Sequence, residues 1–371
     1  MSSPPPGEER RTSNAELLWD LVFVFAVTQV TTLLSHDLSW GGLGRGMLVL
    51  ALVWWAWSAF VWAANAADAD SPALRATLFT AMGLIFVTGL ALPQAFGDDA
   101  TLFALAYAGV RFLHLGLYAD ALRRGNASWA AIWGFAITVA IGMALLVAGS
   151  FAGENARIAL WTAAAAIDYA GPAWLTRERL RGLQRVAVAH FAERYSLFVI
   201  ICLGESIVAI GLGAGGQALD RTLVVAAALA LIITLELWWT YFDRVAGAAE
   251  QRLRTHDDPV LAAADGYSYL HFVLVAGIIV FAVGVKLAVH DAAQPLADAA
   301  RLALCGGVAA YLLGHAAFLA RMLRVVSAPR LVAAGALLVL FAVGGGLDAW
   351  ALAGAVAAVL AALCAYETVP A

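Results

Sequence analysis

The chain has 371 residues, of which 63% are hydrophobic and 13% charged, with a mean hydropathy of +0.83 and a formal net charge of −4. A soluble fold needs many more polar residues to cover its surface, so the composition excludes an ordinary soluble domain and points to a polytopic membrane protein. The small net charge gives no support to nucleic-acid binding.

The N-terminal MSSPPPGEERRTSN is a short polar tail that lacks the apolar core and small-residue cleavage site of a removed signal. The apolar stretch after it therefore reads as a retained first helix. A bilayer core of about 30 Å calls for roughly 20 mostly apolar residues per helix. Stretches of that kind run over residues 17–36, 44–64, 74–95, 100–122, 129–149, 156–175, 190–213, 221–243, 264–289, 300–322, 330–347 and 349–367. They are continuously apolar and about twice as long as a barrel strand, which predicts an all-α integral membrane protein with about twelve transmembrane helices. Only Gly344, Gly345, Gly346 and Leu347 separate the last two stretches, which read as two helices or as one broken segment.

With the N-terminus placed in the cytoplasm, fifteen arginines fall in cytoplasmic segments, four (Arg45, Arg157, Arg221, Arg301) fall opposite, and Arg111, Arg194 and Lys286 fall inside spans. This bias predicts that both termini are cytoplasmic, as expected for a protein of the cytoplasmic membrane. The longest basic loop, residues 176–189, divides the chain into a six-helix half over 1–175 and another over 190–371. Ordered similarities suggest parallel repeats: His114 to Arg123 with His315 to Arg324, Trp57 to Phe60 with Trp239 to Phe242, and Glu16 with Glu193.

Ionisable groups inside a bilayer are expensive, roughly 2.5–3.5 kcal/mol each at a helix centre, so their positions form the functional map. Arg111 and Glu205 lie nearest mid-membrane, with Ser206 beside Glu205. They read either as a structural ion pair or as a substrate or proton site. Tyr107, Arg111, His114 and Tyr118 recur at helical spacing and form one polar stripe. Toward the cytoplasm lie Asp20, His114, Asp168, Glu193, Arg194, Glu236, His271 and His315, with His190 one turn before Arg194. Asp20, Glu193 and Arg194 are also placed to reach interfacial water or cap a helix. Three histidines and several carboxylates in one leaflet suit a proton relay as well as ordinary buried hydrogen bonding.

Trp54, Trp55 and Trp57, matched by Trp238 and Trp239, read as core packing, as lipid contact or as an aromatic wall around an organic substrate. Trp19, Trp40, Trp129, Trp161, Trp174 and Trp350 fall near the predicted interfaces, where an aromatic belt accounts for them. The spacing of the His and Cys residues supports no metal, and Cys202, Cys305 and Cys364 read as apolar packing residues. No cofactor is indicated. The glycines at 213–216 read as a helix stop and turn.

In order along the chain stand Glu16-LLW-Asp20-LVFVFAVTQ, LVWWAWSAFVWAAN, His190-FAERYSLFVIICLGESIVAIG, LELWWTYFD and YSYLHFVLVAGII. With these motifs the chain resembles the bacterial low temperature requirement protein A family over nearly its whole length. Ser196 departs from it, since members often carry Gly there. The resemblance implies a multi-pass membrane protein associated by name with growth in the cold, and it supplies no substrate or reaction. It adds Glu16, Gln29, His190, Glu193, Arg194 and Asp20 to Glu205, Ser206 and Glu236 as motif positions.

Three functions fit these observations. The leading one is a secondary transporter moving an unknown small solute or proton, with Glu205 as the carboxylate for proton coupling and Arg111 as its partner or an anion anchor. In that reading His114, Glu236, His271 and His315 line the cytoplasmic access path. The second is a membrane-embedded enzyme acting on a lipid or isoprenoid. The third is a sensor or scaffold acting through the basic loop.

Overall fold

A computed structural model describes residues 12–66, 72–123, 129–171 and 187–368. Most of the basic 176–189 loop lies outside the described residues, as do the side chains of Trp129 and Trp174. Helices follow the apolar stretches in chain order: α1 Asn14–His36, α2 Trp40–Ala66, α3 Pro72–Ala91, α4 Ala100–Arg123, α5 Trp129–Ser150, α6 Glu154–Ala170, α7 Val188–Ala214 and α8 Arg221–Phe242. Two short helices, α9 Ala246–Arg254 and α10 Pro259–Ala263, precede α11 His271–His290, α12 Asp298–Leu323, α13 Ala328–Val343 and α14 Ala349–Thr368.

Among the described residues, ten segments are long and apolar enough to cross a membrane. The expected fifth and sixth spans lie partly outside the residues whose side chains are described, and their described parts are not among the ten. The described apolar part of α5 is Phe135–Ser150. Helix α6 has 17 residues and carries Glu154, Arg157 and Asp168 within them. The last two stretches are separate helices, joined by a 3₁₀ turn over Gly344–Gly346, and they pack on one another.

The chain divides into two compact units, one of residues 1–29, 48–196 and 254–264, the other of residues 30–47, 197–253 and 265–371. In the first unit α3 packs on α4, α4 on α5 and α5 on α6. Its core is aromatic: Trp19 contacts Phe23 and Phe60 at centroid distances of 4.6 and 4.4 Å, and Trp161 stacks on Phe103 at 5.0 Å while donating to the Leu146 carbonyl. Trp19 and Trp161 are buried, which corrects their expected place in an interfacial belt; Trp40 and Trp350 are exposed as that belt requires. Local sequence fixes the start of α1. Ser13 and Glu16 form a reciprocal capping box, with Ser13 N–H and Oγ–H both on Glu16 Oε2 and Glu16 N–H on Ser13 Oγ.

In the second unit the central packing is α11 against α12, with α13 on α12 and α14 on both α8 and α13. Small residues allow the close approach. A Cβ on Gly307 would lie 2.5 Å from the Phe281 backbone nitrogen, and one on Gly284 would lie 2.3 Å from that of Leu304. Lipid supplies little hydrophobic drive between helices, so this backbone contact is a principal source of pairing energy. Gly307→Leu is expected to lower the unfolding free energy by about 1–3 kcal/mol or more. Gly335→Leu, where a side chain meets open space, serves as the neutral comparison in denaturant unfolding of the purified protein. Gly213, the first of the glycines at 213–216, makes a similar approach to the Lys286 carbonyl, and Gly216 ends the turn at φ +77°.

Candidate functional site

In the first unit α1 and α7 bring their opening turns together. Arg194 Nε and Nη2 donate to Asp20 Oδ2 and Oδ1 at 3.1 and 2.6 Å, and Arg194 Nη1 lies 3.2 Å from Glu16 Oε1. His190 Nε2 approaches the same Glu16 oxygen at 3.1 Å. Trp57 of α2 completes the group, its indole N–H donating to Asp20 Oδ1 at 2.7 Å. Glu16, Asp20, His190 and Arg194 are at most 1% exposed. Two carboxylates and one guanidinium leave a charge of −1 with a neutral imidazole, and zero with a protonated one. One proton therefore decides whether this dry cluster carries net charge, and low dielectric makes that difference large.

Tyr195 packs edge-on against Trp57 and Trp54, at centroid distances of 4.8 and 5.7 Å, and shares a hydrogen bond of 2.7 Å with Ser58. Trp54 and Trp57 thus wall the cluster, while Trp55 stacks on Tyr169 at 4.0 Å. Glu193, on the far side of the same helix turn, is exposed and accepts from Thr12. Gln29 is half-buried.

Arg111 is fully buried on α4, and its carboxylate is Asp168 of α6, with Nη2 2.7 Å from Oδ1. The sequence had offered Glu205 for that role, because linear spacing shows depth but not azimuth. Arg111 Nε and Nη1 have no hydrogen-bond partner among the described residues. His114, one turn on, sits among the rings of Phe60, Tyr118 and Phe135. Neither of its ring nitrogens has a side-chain partner among the described residues; the Arg111 backbone is the polar group beside it.

The second unit holds another network. His271 follows a π-helical turn over Ala264–Leu270, and its Nδ1 donates to the Gly266 carbonyl at 3.0 Å. Its Nε2 therefore accepts from the Tyr241 hydroxyl, 2.8 Å away, when the ring is neutral. Arg330 grips both oxygens of Glu367, at 2.8 and 2.9 Å, donates to the Thr240 carbonyl, and places Nη1 3.0 Å from His315 Nδ1. A guanidinium only donates, so His315 Nδ1 is the acceptor and a neutral ring carries its proton on Nε2. Tyr241→Phe removes the donor to a buried imidazole nitrogen and should destabilise the protein by about 1–3 kcal/mol in denaturant unfolding, with the helix content unchanged.

Glu236 is half-buried, with Oε2 unpartnered among the described residues; Glu205 and Ser206 are buried on α7, and the Ser206 hydroxyl has no partner among the described residues. Trp238 and Trp239 are exposed, at 42% and 44%. They lie on an outer face, whereas Trp54 and Trp57 are interior. Sequence reasoning passed over Arg330, Glu367 and Tyr241. Arg330 opens its helix and reads as an ordinary cytoplasmic positive charge; the signal that could have found it is Glu367 beyond the last apolar run.

Residues 11–365, which contain the first network and all of the second except Glu367, match the family model described as bacterial low temperature requirement A protein. The chain belongs to that family. It is also 31% identical over 283 residues to an uncharacterized protein of Rhizobium meliloti (strain 1021), an alignment covering 75% of this chain and 69% of that one. No solved structure matches. The low temperature requirement A match thus assigns the chain to a bacterial membrane family and leaves its chemistry to the site.

Proposed function

We propose that the protein is a proton-coupled secondary transporter of the bacterial cytoplasmic membrane. The observation that supports this reading is the Glu16–His190–Arg194–Asp20 cluster, whose net charge is set by one proton inside an apolar bundle. Groups so placed are costly and mark ion or proton pathways in membrane proteins. His190 is the proton-exchanging group, Glu16 its acceptor and Arg194 the fixed charge that holds both carboxylates. Glu205 and Ser206 lie three helical turns further along α7 and supply the solute-facing polar groups.

The proposal includes twelve spans, cytoplasmic termini and a duplicated architecture. Tyr107 of α4 donates to the Leu52 carbonyl of α2, and Tyr311 of α12 donates to the Leu237 carbonyl of α8, at 2.8 and 2.7 Å. The sequence paired these same helices across the two halves. Relative to that alignment, both ends of the second bond are displaced by three residues, about one helical turn. A repeated tyrosine–carbonyl tie, slid by one turn, is what duplication followed by divergence leaves.

The test is solute accumulation. Proteoliposomes holding the purified protein are given a pH gradient and pooled metabolites, and their contents are read by mass spectrometry. At least one solute should accumulate with the gradient and lose its accumulation when a protonophore collapses it. A covalently altered lipid, with no solute moved, would replace this reading with the enzymatic one.

A further inference from the structure

A cavity of about 390 Å³ opens in the second unit, between the end of α1, the start of α2, α11, the start of α12 and the end of α13. Its inner walls are apolar, formed by Leu34, Val283, Leu302 and Phe341 among others. Polar groups gather at its mouth, where Asp37, Ser39 and Asp298 are joined by the ring of Trp40. Trp40 is 77% exposed, and the Asp298 side chain is 90% exposed.

At roughly 30 Å³ for a water-sized group, the cavity holds about a dozen carbon atoms, enough for one alkyl chain and too few for two. The mouth presents carboxylates and an aromatic face, the two features that recognise an ammonium group. Each carboxylate has an arginine behind it: Arg45 on Asp37 and Arg301 on Asp298. Neither arginine lines the cavity. Arg301 is occupied by the carbonyls of Phe341 and Leu296 and lies over the Phe341 ring. Bonds from Ser39 and then Arg45 hold the Asp37 carboxyl below the usual carboxylate range, so it stays charged at neutral pH.

We propose that this cavity binds a single-chain amphiphilic amine, with the chain between α11, α12 and α13 and the ammonium group at Asp298, Asp37 and Trp40. The site is independent of the proton-coupling reading. It gives the protein a ligand class, long-chain primary or quaternary amines drawn from the bilayer.

The test uses the full chain in lipid nanodiscs, because alkyl detergents compete for the cavity. The probes are dodecylamine, dodecyl sulfate and dodecyl maltoside, each with a diazirine at the end of its chain, and labelled peptides are mapped by mass spectrometry. The amine probe should label α11 and α12 at the cavity wall. Excess dodecylamine should displace it at a concentration at least tenfold below that of dodecyl sulfate, dodecyl maltoside or phosphatidylethanolamine. Asp298→Asn, at a carboxylate whose side chain is 90% exposed, should weaken amine labelling several-fold and leave maltoside labelling, which reports the folded cavity, unchanged. Ala303→Trp, which fills the cavity, should abolish labelling in protein that keeps its helix content. Equal labelling by all three headgroups, labelling that survives Asp298→Asn unchanged, displacement by phosphatidylethanolamine as effective as by dodecylamine, or no labelling of the wall would each overturn the proposal.

Discussion

Arg194→Ala is expected to lower the stability of the protein by about 3–5 kcal/mol, the range for removing one partner of a buried ion pair. Arg194 alone supplies the positive charge contacting both Asp20 and Glu16, and all three side chains are within 1% of complete burial. Its loss leaves Asp20 with a single neutral donor, the Trp57 indole. Taking away the charge on both sides should be far milder. Arg194→Met combined with Asp20→Leu leaves Glu16 with Ser13 and His190, and most of the lost stability should return. Unfolding of the three proteins in denaturant checks this. If the double variant is as unstable as the single one, the loss comes from packing and the charge argument fails.

Asp168→Ala should act almost as strongly, by the same about 3–5 kcal/mol, because it strands a fully buried Arg111. Among the described residues Arg111 bonds through Nη2 to Asp168, and its Nε and Nη1 have no partner. Substituting both, as Arg111→Met with Asp168→Leu, should again recover stability. Asp168→Asn should fall between, since the amide keeps an acceptor and loses the charge. A cycle of these variants in denaturant unfolding measures the coupling directly. A coupling near zero would mean that another group neutralises Arg111.

Much of this architecture is legible in sequence because length and hydropathy act one residue at a time. The α1, α7 and α11 boundaries follow from apolar runs ended by Ser13, the 213–216 glycines and the Asp291 turn. The interior is less legible because a span's hydropathy does not record its azimuth. Trp57 and Trp239 look equivalent in sequence, yet Trp57 is buried on Asp20 and Trp239 is exposed. Arg111 and Glu205 read as equally deep in the sequence, yet the carboxylate that Arg111 meets is Asp168. The Glu16–Arg194 contact joins positions 178 residues apart, with Arg194 and His190 one turn apart on α7. Their one-turn spacing was visible; that Glu16 and Asp20, also one turn apart, face them was not.

The most direct test of the account is proton flux through the cluster. Wild-type protein and His190→Gln, each first shown to keep its melting temperature, are reconstituted into liposomes holding a pH-sensitive dye and challenged with the same solute pool. The account predicts solute-dependent proton entry in the wild type and its loss in His190→Gln. Equal solute-dependent flux in both proteins would contradict it and leave the cluster as a clamp between α1 and α7.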